Sequence, residues 1–223
     1  MNPASIDRLK SLREQLAGMA EDMETKRGRF AALKTRHEDG TAPRAVTSFN
    51  LFQTPEAVAR RMAETACALV PDVGRILEPS AGLGRIYRAI KTEAPDARIV
   101  MIEEERDCCR ELSRDMAGRD GDRLHEGDFL TMDPGDIGGT FDAVIMNPPF
   151  KQGRDIKHIL HARRFLRRGG VIVSLCYDGA RQNAFLKPLA DSWEVLPSGT
   201  FKKEGTGAGV AMLTMRNNEK TGE

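Results

Sequence analysis

Apolar positions near the amino terminus recur at steps of three and four, at Ile6, Leu9, Leu12, Leu16, Met19 and Met23. That period predicts an amphipathic helix with Ser5 as a candidate cap, and makes residues 1–40 a helical appendage. Its stripe can pack on the rest of the protein, pair two copies into a homodimer, or order on a substrate, and the pattern leaves these open. Gly40, Pro43, Thr47 and Ser48 mark 41–48 as a linker. From Val73 the pattern changes. Short apolar runs at Arg75 to Glu78, Arg98 to Glu103, Phe141 to Met146 and Val171 to Cys176, with a weaker one near Leu124, alternate with helical stretches. This is the sequence form of a parallel sheet with crossover helices, so the fold class is α/β. Trp193 to Leu196 and Gly209 to Met215 read as two last strands at an antiparallel edge, and the polar tail 217–223 is expected to fray. In open sheets of this kind ligands bind beyond the carboxyl ends of the strands, so chemistry is expected just after each run.

Composition bounds the function classes. A chain of 223 residues has room for one sizeable α/β core and an appendage. A formal net charge of +1 argues against nucleic-acid binding by bulk charge, so a polyanion site has to be local. One candidate is Lys151 through Arg168, with seven Lys or Arg against the single acid Asp155. Lys151 and Arg154 are the candidates for phosphate contact, while Arg163, Arg164, Arg167 and Arg168 read as a solvated helix face and His158 and His161 as surface residues. Cys67, Cys108, Cys109 and Cys176 form no C-x-x-C pair and have no histidine at zinc-finger spacing, so neither a disulfide framework nor a metal site is expected. No signal-peptide core and no apolar run near the ~18 residues of a membrane span is present, and a cytoplasmic protein without membrane attachment is expected.

Two segments carry the chemistry. Ile76 to Gly84 reads as a strand ending in Glu78, a loop of Pro79, Ser80, Ala81, Gly82, Leu83 and Gly84, and a helix beginning near Arg85. Glycines at 82 and 84 allow close backbone approach to a nucleotide-like cofactor, although a tight turn without a ligand also fits. A dinucleotide fingerprint would need a third glycine where Tyr87 stands, which disfavours a nicotinamide dehydrogenase. The second segment is Asn147-Pro148-Pro149-Phe150. Two prolines fix the backbone and remove amide donors, so the asparagine side-chain oxygen and a prolyl carbonyl can accept both hydrogens of a planar amine, with Phe150 as a stacking surface. Such an amine keeps its lone pair for attack on an electrophilic methyl without a metal or a strong base.

Together these segments resemble the class I S-adenosylmethionine-dependent methyltransferases that act on amino groups, marked by an [Asp/Asn/Ser]-Pro-Pro-[Tyr/Phe/Trp] motif. The resemblance runs from Phe49 to Arg216, and Glu78, Glu103, Asp128 and Asn147 follow one another at intervals of 25, 25 and 19 residues. It implies a Rossmann-like, mostly parallel seven-stranded sheet with helices on both faces, and S-adenosylmethionine as cofactor. It assigns Glu103 to the ribose hydroxyls, Asp128 to the adenine amino group, and Asn147, Pro148, Pro149 and Phe150 to catalysis. Phe129 is expected over the adenine face. Phe52, Thr54 and Pro55, with Thr54 as helix cap, resemble the amino-terminal cofactor motif of adenine N6 methyltransferases whose cofactor loop precedes the catalytic loop. Phe201, in a late Gly-rich hairpin, resembles a position beside the target base, although the hairpin also reads as merely flexible. The resemblance therefore implies methylation of adenine N6 in DNA, with ribosomal RNA or a protein glutamine as alternatives under the same chemistry. Phe150 favours nucleic acid over protein, since the glutamine enzymes usually carry tyrosine there. An inactive partner subunit on the same fold is the alternative of another class.

Overall fold

The computed structural model describes residues 53–204 and 207–217. The appendage, the linker, Phe52, Gly205, Thr206 and the tail from 218 lie outside them. In chain order the elements are α1 (Glu56–Leu69), β1 (Arg75–Glu78), α2 (Arg85–Glu93), β2 (Arg98–Glu103), α3 (Arg106–Asp115), β3 (Arg123–Glu126), β4 (Phe141–Met146), α4 (Arg154–Ala162), β5 (Leu166–Tyr177), α5 (Ala180–Phe185), β6 (Ser192–Val195) and β7 (Val210–Arg216). Short 3-10 turns fill several of the connections.

The seven strands form one sheet in the order β3-β2-β1-β4-β5-β7-β6. Neighbours among β1 to β5 pair in parallel, and β7 runs antiparallel between β5 and β6. This is the Rossmann-like methyltransferase fold. Alternate residues of each central strand feed two cores. Ile76, Ile99, Met101, Ala143, Ile145, Val171 and Val173 pack with Val58 and Met62 of α1, Ile86 and Ile90 of α2 and Leu112 of α3. Leu77, Val100, Ile102, Val144, Met146 and Ile172 face the other way, onto Ile156 and Ile159 of α4 and Leu186 after α5. Burial on both faces is why these strands read as continuous apolar runs rather than as alternating ones.

β5 begins five residues earlier than its apolar run. Its polar opening, Arg167 to Gly170, lies in a bulge, with Leu166 opposite Phe141 and Val171 opposite Ala143. At the other end of the domain, Pro55 occupies the cap position of α1 and no side chain caps the helix. The expectation of Thr54 as cap is therefore corrected: its hydroxyl accepts from the Asn147 side chain instead. The strand order reverses between β1 and β4, and the crevice opened by such a reversal lies at the carboxyl ends of the strands.

Candidate active site

A cavity of about 290 Å³ occupies that crevice. It is lined by Gln53 and Thr54, by Glu78 through Leu83 after β1, by Ile102 through Glu105 around the end of β2, by Gly127 through Phe129 after β3, by Asn147 through Phe150 after β4, and by Arg85, Ile86 and His158. Five connections far apart in sequence thus converge on one space.

Its floor follows from the glycine loop. Ala81 N–H donates to the Ile102 carbonyl at 3.2 Å, and Gly84 N–H closes a turn onto the Ala81 carbonyl at 2.9 Å. Gly82 (φ 54°) and Gly84 (φ 76°) are both left-handed, and a Cβ on Gly84 would stand 2.8 Å from Leu112 Cδ2. Glycine is required at 84 by conformation and by space alike. Gly82 N–H donates to Glu103 Oε2 at 2.7 Å, and Glu105 N–H donates to Glu103 Oε1 at 2.8 Å. Each Glu103 oxygen is thereby fixed by one amide and retains capacity for a further donor such as a hydroxyl. Burial pushes the Glu103 pKa up, opposed by those two amides.

Glu78 is wholly buried and neither carboxylate oxygen has a hydrogen-bond partner. Burial first, and the Glu103 carboxylate second, push its pKa well above the carboxylate range, with Arg88 and the Tyr87 backbone amide acting in the opposite sense. A buried acid left in this condition needs a donor from a ligand or from water. After β3, Asp128 Oδ1 accepts the Leu130 N–H at 3.0 Å and lies 3.7 Å from the Arg154 guanidinium. Phe129 is buried, its ring 5.0 Å from Phe165 and 4.8 Å from His161.

The loop from Asn147 to Phe150 is tied to the segment before α1. Asn147 Nδ2 donates to Thr54 Oγ1 at 3.0 Å, and Arg85 donates to the Thr54 carbonyl at 3.1 Å and to Glu204 at 2.8 Å. With the amide's donor end turned to Thr54, its carbonyl is the end suited to accept from a ligand amine. Pro148 is buried, whereas Pro149 and Phe150 are half-buried at the cavity wall.

The chain matches the methyltransferase small domain over residues 59–200. The chain belongs to that family. Ribosomal RNA small subunit methyltransferase C of Haemophilus influenzae (strain PittGG) is 27% identical over 137 residues, which cover 58% of this chain and 40% of the relative. The chain therefore spans well under two thirds of that relative's length. Among solved structures, TrmN from Thermus thermophilus superposes with a TM-score of 0.58 at 17% identity over 73% of this chain and 48% of its own. The 23S rRNA methyltransferase ErmE superposes with a TM-score of 0.54 at 20% identity, over 76% and 71% of the two chains. At these identities the structural likeness speaks for the fold.

S-adenosylmethionine is the cofactor of this family, and the residues around the cavity fit it. The orphaned Glu78 carboxylate suits a cationic amine, Glu103 a pair of hydroxyls, and the left-handed glycines leave the backbone bare where the ligand must approach. Bound there, it supplies a methyl group on a positively charged sulfur.

Of the residues expected at the site from the sequence, Thr54, Glu78, Pro79, Ser80, Ala81, Gly82, Glu103, Asp128, Phe129 and Asn147 through Phe150 line the cavity, and Gly84 shapes the loop beneath it. Pro55 sits at the head of α1 and does not line it; Phe52 lies outside the described residues. Phe201 is corrected. It is buried in the core with Leu196, Val210 and Met212, because the hairpin folds its apolar side inward, and it does not face the cavity. Lys151 is exposed next to the loop, whereas Arg154 lies 3.6 Å from Glu104 and 3.7 Å from Asp128, turned to acids rather than outward. The basic run is largely paired within the fold: Arg164 bonds Asp133 and Arg167 bonds Asp142. His158 and His161 are not surface residues. His158 is 4% exposed, and His161 is half-buried with Nε2 3.0 Å from the Met132 carbonyl. The spacing of α4 carries a signal for this, since Asp155, Ile156, His158, Ile159 and Ala162 form one buried helical face. Arg85 was missed as well, and nothing local distinguishes it from other arginines.

Among the described residues no helix is long and apolar enough to cross a membrane, and no group of three or more His, Cys, Asp or Glu is placed to hold a metal ion.

Proposed function

We propose that this methyltransferase transfers the methyl group of S-adenosylmethionine to the exocyclic amino nitrogen of a nucleobase, with RNA as the first substrate class. The observation that carries the reading is Asn147. Its Nδ2 donates to Thr54 inside a loop whose next two residues have no N–H, so the loop offers acceptors to a planar amine. Asn147 Oδ1 and the Pro148 carbonyl would take the two amine hydrogens, and Phe150 would stack against the base. A base inside a duplex cannot reach this wall, so the target is either unpaired or swung out of its stack. Catalysis then consists mainly of holding nitrogen and methyl in line a few ångströms apart. The amine is uncharged, so its proton leaves after transfer and no strong base is needed.

RNA comes first because the curated relative and one of the structural neighbours are ribosomal RNA methyltransferases by name. Adenine N6 in DNA remains the second reading, favoured by the Thr54–Pro55 segment that precedes the cofactor loop and reaches Asn147.

The deciding experiment incubates the full chain with tritiated S-adenosylmethionine and, separately, total RNA, single-stranded DNA, unmethylated duplex DNA and a protein extract, then identifies the labelled product after digestion. Label on an RNA base amine is expected. Label confined to adenine N6 of DNA selects the second reading, and label confined to protein glutamine removes nucleic acid altogether. Cofactor binding with no label in any arm would leave an inactive partner subunit. Asn147→Ala is expected to lower transfer by more than a hundredfold, on the scale of a lost catalytic hydrogen-bonding group, with cofactor affinity changed less than about threefold. Equal loss of both would remove Asn147 from its role.

A further inference from the structure

We propose that His158 is a cofactor-positioning residue whose imidazole hydrogen-bonds the adenine end of S-adenosylmethionine. Among the described residues, five buried side-chain polar atoms lack a hydrogen-bond partner: both Glu78 oxygens, both His158 ring nitrogens and Trp193 Nε1. The four that belong to Glu78 and His158 lie on side chains lining the cavity. Buried polar atoms in folded proteins are nearly always satisfied, so a concentration of unsatisfied ones around a single space points to the ligand that fills it.

The rest of α4 shows that His158 is not simply a histidine on a buried face. His161, one turn along, has the same neighbour in Phe129 and is bonded through Nε2 to the Met132 carbonyl at 3.0 Å. Asp155, one turn back, accepts from Tyr177 N–H at 3.0 Å and from Gln182 at 2.9 Å. His158 alone of the three is unpartnered, and its ring stands 5.7 Å from that of Phe129 at a tilt of 51°.

Position determines which part of the ligand it meets. Asp128, Phe129 and Glu103 close the β2–β3 side of the cavity, where the resemblance puts base and ribose, while Glu78 closes the β1 side. Burial, with Arg154 as the second cause, pushes the His158 pKa down to about 4, so at neutral pH the ring carries one donor and one acceptor. An adenine edge offers both an amino donor and ring-nitrogen acceptors, and one imidazole nitrogen can meet either; the two ring nitrogens point away from each other, so one of them makes the contact.

The test is calorimetric titration of the full chain with S-adenosylhomocysteine and with 5′-deoxy-5′-methylthioadenosine, which keeps the adenosine part and lacks the amino acid. His158→Leu is expected to weaken both ligands about tenfold, the scale of one hydrogen bond to a buried group, and to leave the thermal midpoint of the ligand-free protein unchanged or raised. His158→Gln should recover part of the affinity. Glu78→Gln should weaken S-adenosylhomocysteine and spare the adenosine fragment. Unchanged affinity for both ligands in folded His158→Leu overturns the proposal, as does a loss confined to S-adenosylhomocysteine. Should that variant not fold, nitrogen-15 spectra of the wild-type imidazoles decide, because the His158 nitrogens must shift when the adenosine fragment binds; no shift overturns the proposal. Failure of the wild type to bind S-adenosylhomocysteine would instead remove the cofactor reading on which the proposal rests.

Discussion

Glu78 is a buried acid kept in the cavity wall at the expense of the ligand-free protein. Its carboxyl is wholly buried without a partner, and burial raises its pKa well above the carboxylate range. An acid whose pKa is higher folded than unfolded favours the folded state when protonated. That contribution is complete below its unfolded pKa of about 4.3 and is lost as pH rises through the raised folded value. Glu78→Gln keeps the shape and removes the titration. The variant is therefore expected to melt close to the wild type near pH 4 and progressively above it as pH rises. Thermal denaturation of the ligand-free protein at a series of pH values measures this, and a melting difference independent of pH would show that Glu78 is not the titrating group. His158 belongs to the same class of residue, a buried polar group without a hydrogen-bond partner.

At the scale of elements, the turn from β1 into α2 does most of the positioning. Gly84 is left-handed at its φ of 76° and packs against Leu112 of α3, so the loop and the third helix are locked together. Gly84→Ala introduces a left-handed non-glycine residue at about 1–2 kcal/mol, plus the displacement of Leu112. A lower melting temperature and at least a severalfold weaker affinity for S-adenosylhomocysteine are expected; unaltered melting would show that α3 yields freely. The same loop was legible in the sequence because glycine and proline act locally. Strand β3 was faint for the opposite reason. It is a half-exposed edge strand whose burial is too slight to impose an apolar pattern, and Leu124 is its one large apolar residue. The first residues of β5 escaped too, since a bulge carrying Arg167 to Gly170 has no hydrophobic signature.

For the whole molecule, charge after the Asn147–Phe150 loop is less available than its density suggests. Arg167 bonds Asp142, whose other oxygen accepts the Gly74 and Arg75 amides at 2.8 and 2.7 Å, so this pair anchors the start of β1. Burial would raise the Asp142 pKa, but Arg167 and those amides hold it below the usual range. Replacing Arg164 and Arg167 together by alanine is accordingly expected to cost stability, by about 1 kcal/mol or less per exposed pair, and to leave the salt dependence of nucleic-acid binding unchanged. Fluorescence anisotropy across a salt series tests this. A slope reduced by about one counterion for each arginine would mean that both contact phosphates after all.

The sequence by itself determined the α/β class, the places of the central strands and the two loops that line the cavity after β1 and β4. Strands buried on both faces must be apolar throughout, and loops built on glycine and proline are constrained by their own backbones. What tertiary structure decided was the partner of each polar side chain. Thr54 turned from helix cap to support for Asn147, Arg154 turned to Asp128 and Glu104, Phe201 entered the core, and His158 was buried in the cavity wall. Each of these depends on residues brought together from different strands, and local pattern holds no record of such pairings until the sheet has formed.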